Sequence, residues 1–303
     1  MDITIISPMK ENPLHPGEQL INLLETGSSI CSIGVFDALS ASIAAGYPKV
    51  QALFISGLGF TYSRYGWPDI GLIELTDIRH ACRIIRHNNP RCLVISDIDS
   101  GFGGIEQLRH ACAELRQLGV AAVQLEDQAL DHKRCGHLDG KVVRSIEESV
   151  MHLKAAIEAA APMQVIARTD APLEGGEALR RIDAFIEAGA RIVLVDGINE
   201  ADLVQVADHT ARRAFVMANV VGGGKLAGKS ASAFHEMGVS IINLSTPLLF
   251  PAIHAMNETM QDLVSHDFTV SKNTVGPALL EVNEMMSENY RNFIGSPRVF
   301  QYD

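Results

Sequence analysis

The chain has 303 residues, 47% of them hydrophobic and 20% charged, an ordinary globular composition with room for one large domain or two small ones. A net charge of −11 argues against a broad nucleic-acid surface, and no run reaches the roughly 18 apolar residues that a membrane span needs. The five cysteines are odd in number and scattered, so neither a disulfide framework nor a structural zinc site is expected; a reducing cytoplasm suits them, and residues 1–20 lack the apolar core and cleavage site of a secretory signal.

Eight short apolar runs recur along the chain, at residues 31–36, 52–56, 92–97, 121–126, 163–168, 191–196, 214–219 and 240–243. They lack polar alternation, as expected of strands buried on both faces. Amphipathic segments separate them; 105–118 and 177–188 place apolar residues at three- and four-residue intervals. Gly119, Gly189 and Gly238 stand where a helix must stop before the next strand. Eight strand–helix units imply a closed parallel barrel. The expectation is one (β/α)8 domain over residues 1–303, with the barrel at about 30–260 and a helical extension at about 261–303. An open doubly wound sheet is the alternative, but no Gly-x-Gly-x-x-Gly opens the first unit. Two helices, 248–263 and 277–290, follow the last strand. One closes the last unit; the other needs a partner surface, so an oligomer is expected.

In such barrels chemistry sits at the carboxyl ends of the strands, and polar residues gather there. In order they are Asp37, Ser56-Gly57, Asp97-Ile98-Asp99-Ser100-Gly101-Phe102-Gly103, Glu126-Asp127, Arg168-Thr169-Asp170, Asp196, Asn219 and Ser245-Thr246-Pro247. A single charged residue after a strand is ordinarily just solvated; so many on one rim are not explained that way. Asp97 and Asp99 flank Ile98, which puts them on the same side of an extended chain. With Glu126 they form an all-oxygen set suited to Mg2+, or Mn2+; without a metal they would be a carboxylate cluster paired with Arg168. The planar fork of Arg168 suits a carboxylate or phosphate, or a structural ion pair. Gly101, Gly103 and Gly104 allow close backbone approach to a ligand. Gly222-Gly223-Gly224-Lys225 either cradles an anion with its N–H groups or is a flexible loop. His80, His110, His152 and His254 read as surface or packing residues of helices.

The most distinctive stretch is Asp131-His132-Lys133-Arg134-Cys135-Gly136-His137-Leu138-Asp139-Gly140-Lys141. It sets a thiol between Lys133, Arg134 and His137, and positive neighbours lower a thiol pKa from roughly 8.5. The bland alternative is a solvated basic loop with an incidental cysteine.

Taken together these residues resemble the isocitrate lyase/phosphoenolpyruvate mutase superfamily. Ser56-Gly57 with Gly66-Trp67-Pro68-Asp69 is similar to its Ser-Gly…Gly-Leu-Pro-Asp element. Asp97 to Gly103 resembles its Asp-x-Asp-x-Gly-Phe-Gly metal segment, and Leu125-Glu126-Asp127-Gln128 with Lys133-Arg134-Cys135-Gly136-His137 its lyase signature. Ala167-Arg168-Thr169-Asp170-Ala171 and Ala218-Asn219 complete the set, over about residues 30–260. The cysteine loop looks like that of methylisocitrate, dimethylmalate and isocitrate lyases, and of carboxyphosphonoenolpyruvate mutase.

The resemblance implies a (β/α)8 barrel, a catalytic magnesium, an enolate intermediate and a homotetramer, a dimer of dimers with exchanged C-terminal helices. It implies Cys135 as general acid, with Lys133, His137, Arg168 and Asp69 also catalytic. Asp97, Asp99 and Glu126 would hold the metal. Phe54, Ser56, Gly57, Leu58, Gly136, Asp196, Asn219 and Pro247 would meet the substrate. The chain departs from the lyase pattern at three places: Phe54 replaces a tyrosine, Asp196 replaces a glutamate, and Gly222 to Ala227 replace Glu-Gly-Gly-x-Thr-Pro. An unusual distal group on the substrate is therefore expected. The implied activity is retro-aldol cleavage of a 2-hydroxy di- or tricarboxylate to an α-keto acid and a carboxylate. Phosphorus–carbon mutase chemistry, oxaloacetate decarboxylation or hydrolysis, and non-catalytic keto-acid binding are the alternatives. The expected partner is a small anionic substrate, with no nucleic acid and no membrane.

Overall fold

The computed structural model describes residues 14–136, 138, 140–270 and 279–294. Eight parallel strands pair in chain order, and the last returns to the first to close a barrel. They are β1 (Ile30–Val35), β2 (Ala52–Ile55), β3 (Leu93–Asp97), β4 (Ala122–Glu126), β5 (Gln164–Thr169), β6 (Ile192–Val195), β7 (Phe215–Val220) and β8 (Ile241–Leu244). Each lies within one residue, at either end, of its expected run.

The helices are α1 (Pro16–Glu25), α2 (Ala38–Ala45), the short α3 (Gly57–Phe60), α4 (Leu75–Asn88), α5 (Ile105–Gln117), α6 (Ile146–Ala160), α7 (Glu177–Glu187), α8 (Glu200–Thr210), α9 (Ala231–Glu236), α10 (Leu249–Ser265) and α11 (Leu279–Ile294). A π-helical turn, Thr61–Tyr65, extends α3. Gly119, Gly189 and Gly238 each take a positive φ behind a helix, as their placement predicts. His80, His110 and His254 lie exposed on helices and His152 is half-buried, in keeping with surface roles.

Two side-chain rows on each strand have different destinations. Leu53, Ile55, Val94 and Val123 pack with helical residues such as Ile78, Cys82, Leu108 and Leu115, so this row faces outward into the helix layer. Ala52, Phe54, Leu93, Ile95, Ile166, Leu194 and Met217 form a separate cluster, which fills the barrel interior. This double burial is why the strands show no polar alternation. Each fully buried Leu or Ile contributes about 1.5–3 kcal/mol.

The interior row also sets the site. Asp97, Glu126, Arg168, Asp196 and Asn219 stand two residues beyond Ile95, Gln124, Ile166, Leu194 and Met217, so the pleat aims them inward at the carboxyl-end rim.

Helix α1 is an element that the sequence reading passes over. Its Leu20, Ile21 and Leu24 join the interior cluster beside Ile30 and Ile241 and plug the amino-terminal mouth. Its sequence signal is Pro16 in the first turn and a His15/Glu18 capping box. At the other end α10 and α11 match the two helices expected after β8, although Pro277 lies outside the described residues. Helix α11 rests on its own barrel: Asn289 donates to Ser42 Oγ (2.7 Å), Asn292 donates to the Asn88 carbonyl (3.0 Å), and Phe293 packs on His87 of α4. No helix among the described residues is long and apolar enough to cross a membrane.

Candidate active site

The rim of the barrel gathers Asp99, Glu126, Lys133, Arg168, Asp196 and Asn219 into one network of ion pairs and hydrogen bonds. Arg168, almost wholly buried, ends β5 and is held by three carboxylates. Its Nε and Nη2 grip Asp170 as a fork (2.9 and 3.0 Å), and Nη2 also reaches Asp196 (2.8 Å) and Glu126 (3.4 Å). The Asp170 carboxyl is held far below the usual carboxylate range by Arg168, with help from Lys141, against the opposing effect of burial. From Asp196 the network runs on around the rim. Asn219 Nδ2 donates to Asp196 Oδ1 (2.9 Å), Asn243 Nδ2 donates to Asn219 Oδ1 (3.1 Å), and the Ser245 hydroxyl also donates to Asn219 Oδ1. Side chains from β5, β6, β7 and β8 are thus linked in order.

On the other side of Arg168 lies the acidic sector. Lys133 Nζ bridges Glu126 Oε1 (2.6 Å) and Asp99 Oδ1 (3.0 Å), with its side chain only 3% exposed. Burial pushes the Glu126 carboxyl up, while Arg168 and Lys133 pull it down. Burial, reinforced by Asp99, pushes Asp97 up to about 6. Asp99 and Glu126 instead hold the Lys133 ammonium charged, well above its ordinary value despite burial. A Cβ at Gly57 would stand 3.0 Å from Asp97 Oδ2 and 3.6 Å from Asp99 Oδ1, so a bare backbone there is what lets the β2 end approach both carboxylates.

The structure adds detail to three expectations. Asp97 and Asp99 do converge near Gly57, but not as alternate residues of a strand: β3 ends at Asp97, and Asp99 turns back with φ +46°, its N–H donating to Asp97 Oδ1 (3.2 Å). Lys133, expected as a positive neighbour of the thiol, places its ammonium between Asp99 and Glu126. At Gly101 and Gly103 the space that a Cβ would need is taken by helix α5. A Cβ at Gly101 would strike Leu108 (2.7 Å) and one at Gly103 would crowd Gln107 (3.2 Å), so the glycines serve the packing of α5.

The cysteine loop leaves β4 and lies across the same rim. Cys135 is half-buried and its side chain hydrogen-bonds the Asp69 carboxyl, which burial pushes up and Lys133 draws down. A Cβ on Gly136 would lie 1.9 Å from Asp196 Oδ2 and 2.3 Å from Arg168 Nη2, so glycine is what allows the loop backbone to rest on that ion pair. His137 lies outside the described residues.

The remaining expected residues are distributed more widely. Ser56 caps α3, accepting from the Gly59 N–H (3.3 Å), with Leu58 half-buried on that helix. Phe54 sits beneath the rim in the apolar interior. Pro247 is exposed ahead of α10. In the glycine loop after β7, the Gly222 N–H donates to Thr246 Oγ1 (3.2 Å) and Gly224 N–H to the Val221 carbonyl (2.9 Å), so neither is presented to an anion. Sequence reasoning left out Asp170, Lys141, Asn243, Ser245 and Gln128 as site residues. Asp170 and Ser245 nevertheless stand among the polar residues of the rim, Gln128 in the Glu-Asp-Gln element and Lys141 at the end of the cysteine stretch, whereas Asn243 carries no such signal.

Among the described residues no three His, Cys, Asp or Glu side chains converge on one ion position. The donor chemistry nevertheless fits Mg2+, which is typically held by one or two carboxylates with waters and substrate oxygens completing its shell. Asp97 and Asp99 near Gly57 supply such a pair, and the carboxylates on this rim outnumber Lys133, Lys141 and Arg168.

Comparison with known proteins agrees with this geometry. Residues 20–264 match the family model described as phosphoenolpyruvate phosphomutase. The chain is 30% identical over 278 residues to 2,3-dimethylmalate lyase of Eubacterium barkeri, covering 90% of this chain and 94% of that one. It is 36% identical over 215 residues to 2-methylisocitrate lyase of Bacillus subtilis (strain 168), covering 69% and 68%. Its fold superposes on that of an oxaloacetate acetylhydrolase in complex with 3,3-difluorooxalacetate, with TM-score 0.84, 30% identity, and coverage of 96% of this chain and 100% of that one. The chain therefore belongs to the phosphoenolpyruvate phosphomutase family, as a lyase-type enzyme of the PEP mutase/isocitrate lyase superfamily.

Proposed function

We propose that this enzyme is a magnesium-dependent carbon–carbon lyase that cleaves a 2-hydroxy di- or tricarboxylate to an α-keto acid and a carboxylate. The observation that carries the reading is the seating of Cys135. Its loop rests through Gly136 on the Arg168–Asp196 pair, and its thiol contacts Asp69 on the rim that carries Asp97, Asp99 and Glu126. Asp97 and Asp99 would hold the ion, with Glu126 in support. When bound, the ion supplies positive charge to the substrate's hydroxyl and adjacent carboxylate. Backbone groups of Ser56 and Gly57 orient the keto-acid end, because no side chain stands between them and the carboxylates. A general base takes the hydroxyl proton as the carbonyl forms and the C–C bond breaks, and Cys135 delivers a proton to the carbon released, as general acid. Asp69, hydrogen-bonded to the thiol, orients it. Arg168 is fully engaged by carboxylates, so its part is to hold Glu126 and Asp196 in place.

The test is a panel assay of purified protein with Mg2+. Release of pyruvate or glyoxylate from 2-methylisocitrate, 2,3-dimethylmalate or a related 2-hydroxy acid supports the lyase reading. A second reading, hydrolysis of oxaloacetate to oxalate and acetate, is favoured by the likeness to oxaloacetate acetylhydrolase. Oxalate formed from oxaloacetate, with no 2-hydroxy acid cleaved, would select it. Phosphonopyruvate formation seen by phosphorus NMR would replace both with a mutase.

Metal affinity is expected to depend on pH through Asp97. Burial and the neighbouring Asp99 push its carboxyl up to about 6, and the ion binds the deprotonated form. Affinity should therefore be full above that value and fall by about tenfold per pH unit below it. Calorimetric Mn2+ titrations at about pH 5 and about pH 7.5 check this, and equal affinities would remove Asp97 from the ligand set. Assembly is proposed as a homotetramer: Met256, Met260 and Val264 form an exposed apolar row along α10 of the single chain.

A further inference from the structure

The segment that carries Cys135 is an excursion with a fixed base. After β4 the chain pairs with its own return limb: Ala129 N–H donates to the Val142 carbonyl (2.8 Å), Arg144 N–H donates to the Asp127 carbonyl (2.9 Å), and Gln128 and Val143 form an antiparallel bridge. Lys141 sits beside this base, so its backbone position does not depend on where the cysteine stands. From there its side chain, 15% exposed, reaches up to two groups at once. Nζ donates to the Gly136 carbonyl (2.6 Å) and to Asp170 Oδ1 (3.1 Å). Asp170 is the carboxylate that grips Arg168 as a fork, and is therefore fixed to the barrel.

On the near side of the cysteine, Gln128 plays the complementary part. Its buried amide donates to the Arg134 carbonyl (3.0 Å) and accepts from the Arg134 N–H (3.0 Å). Cys135 is thus bracketed by a neutral clamp on the residue before it and a charged one on the residue after it. Lys133 already ties the near limb to Asp99 and Glu126, and the charged clamp ties the Gly136 peptide itself to Asp170.

We propose that Lys141 is the positioning residue that sets the place of Cys135, by holding the Gly136 carbonyl against Asp170. Two hydrogen bonds from a charged donor are lost together when the amine is removed, and no other described side chain links Gly136 to Asp170. The catalytic consequence rests on the role proposed for Cys135; the placement itself does not, and it is measured without turnover.

The experiment compares iodoacetamide alkylation of the full-length wild type, Lys141→Met and Lys141→Arg, each peptide being followed by mass spectrometry. Met keeps the stem and removes the donor; Arg keeps charge and reach. Expected is a rise in the alkylation rate of Cys135 of about tenfold or more in Lys141→Met, with buried Cys82 and Cys112 still unreactive, and recovery towards the wild-type rate in Lys141→Arg. A purely electrostatic role has the opposite sign, since removing a cation near a thiol lowers its thiolate fraction. An unchanged or slower Cys135 rate in Lys141→Met overturns the proposal. Should that variant also expose Cys82 and Cys112, Lys141→Gln is put to the same comparison and decides. Where a substrate is cleaved, Lys141→Met should lower kcat more than it raises KM.

Discussion

Arg168→Met is expected to lower stability by about 3–5 kcal/mol, because it removes one partner from a buried ionic network, and to abolish turnover. The guanidinium is 5% exposed and shared by Asp170, Asp196 and Glu126. Without it Lys141 remains near Asp170 and Lys133 near Glu126, while Asp196 loses its guanidinium and keeps the hydrogen bond from the neutral Asn219. Buried carboxylates left short of positive charge must either stay ionised at high cost or take up protons, and both weaken the fold. A shift of that size lowers the melting temperature by on the order of 10 °C in a chain of this length. Calorimetry on the purified variant measures it. Arg168→Lys should recover part of the stability but little of the activity, because an ammonium cannot grip Asp170 as a fork. A melting temperature within about 2 °C of wild type for Arg168→Met would show that the fold does not depend on this network.

Cys135→Ser is expected to act on the other side of the balance, with little loss of stability and a fall in kcat of about 10²-fold or more. Cys135 is half-buried, and serine nearly matches its shape, so the loop should stay seated and KM should change little. What is lost is the proton donor, since a hydroxyl is a far weaker acid than a thiol. Steady-state kinetics on the cleaved substrate separates the two parameters. Undiminished turnover would move the general acid elsewhere, with Asp69 as the first candidate, because it already shares a hydrogen bond with the thiol.

The two variants divide the site into parts that differ in how legible they are. The strand ends were readable because barrel strands are buried on both faces, so a charge closing an apolar run stands out. Asp97, Glu126, Arg168, Asp196 and Asn219 were found in this way, and the structure places all of them on the interior row. The cysteine loop was readable as an unusual local pattern. Helix α1 carries local signals, Pro16 and a His15/Glu18 capping box ahead of Leu20, Ile21 and Leu24, but its role in closing the barrel mouth depends on contacts with distant strands.

Chain order, strand number, the rim carboxylates and the family resemblance follow from the sequence by itself, because period, burial on both faces and motif spacing are properties of neighbouring residues. Partnership is different. That Lys133 pairs with Asp99 and Glu126, that Asp99 reaches Gly57 through a left-handed turn, and that Lys141 ties Gly136 to Asp170 were decided only by the tertiary structure. Buried charges choose partners by distance and desolvation in three dimensions, and closure of the barrel brings together strand ends that the sequence keeps far apart.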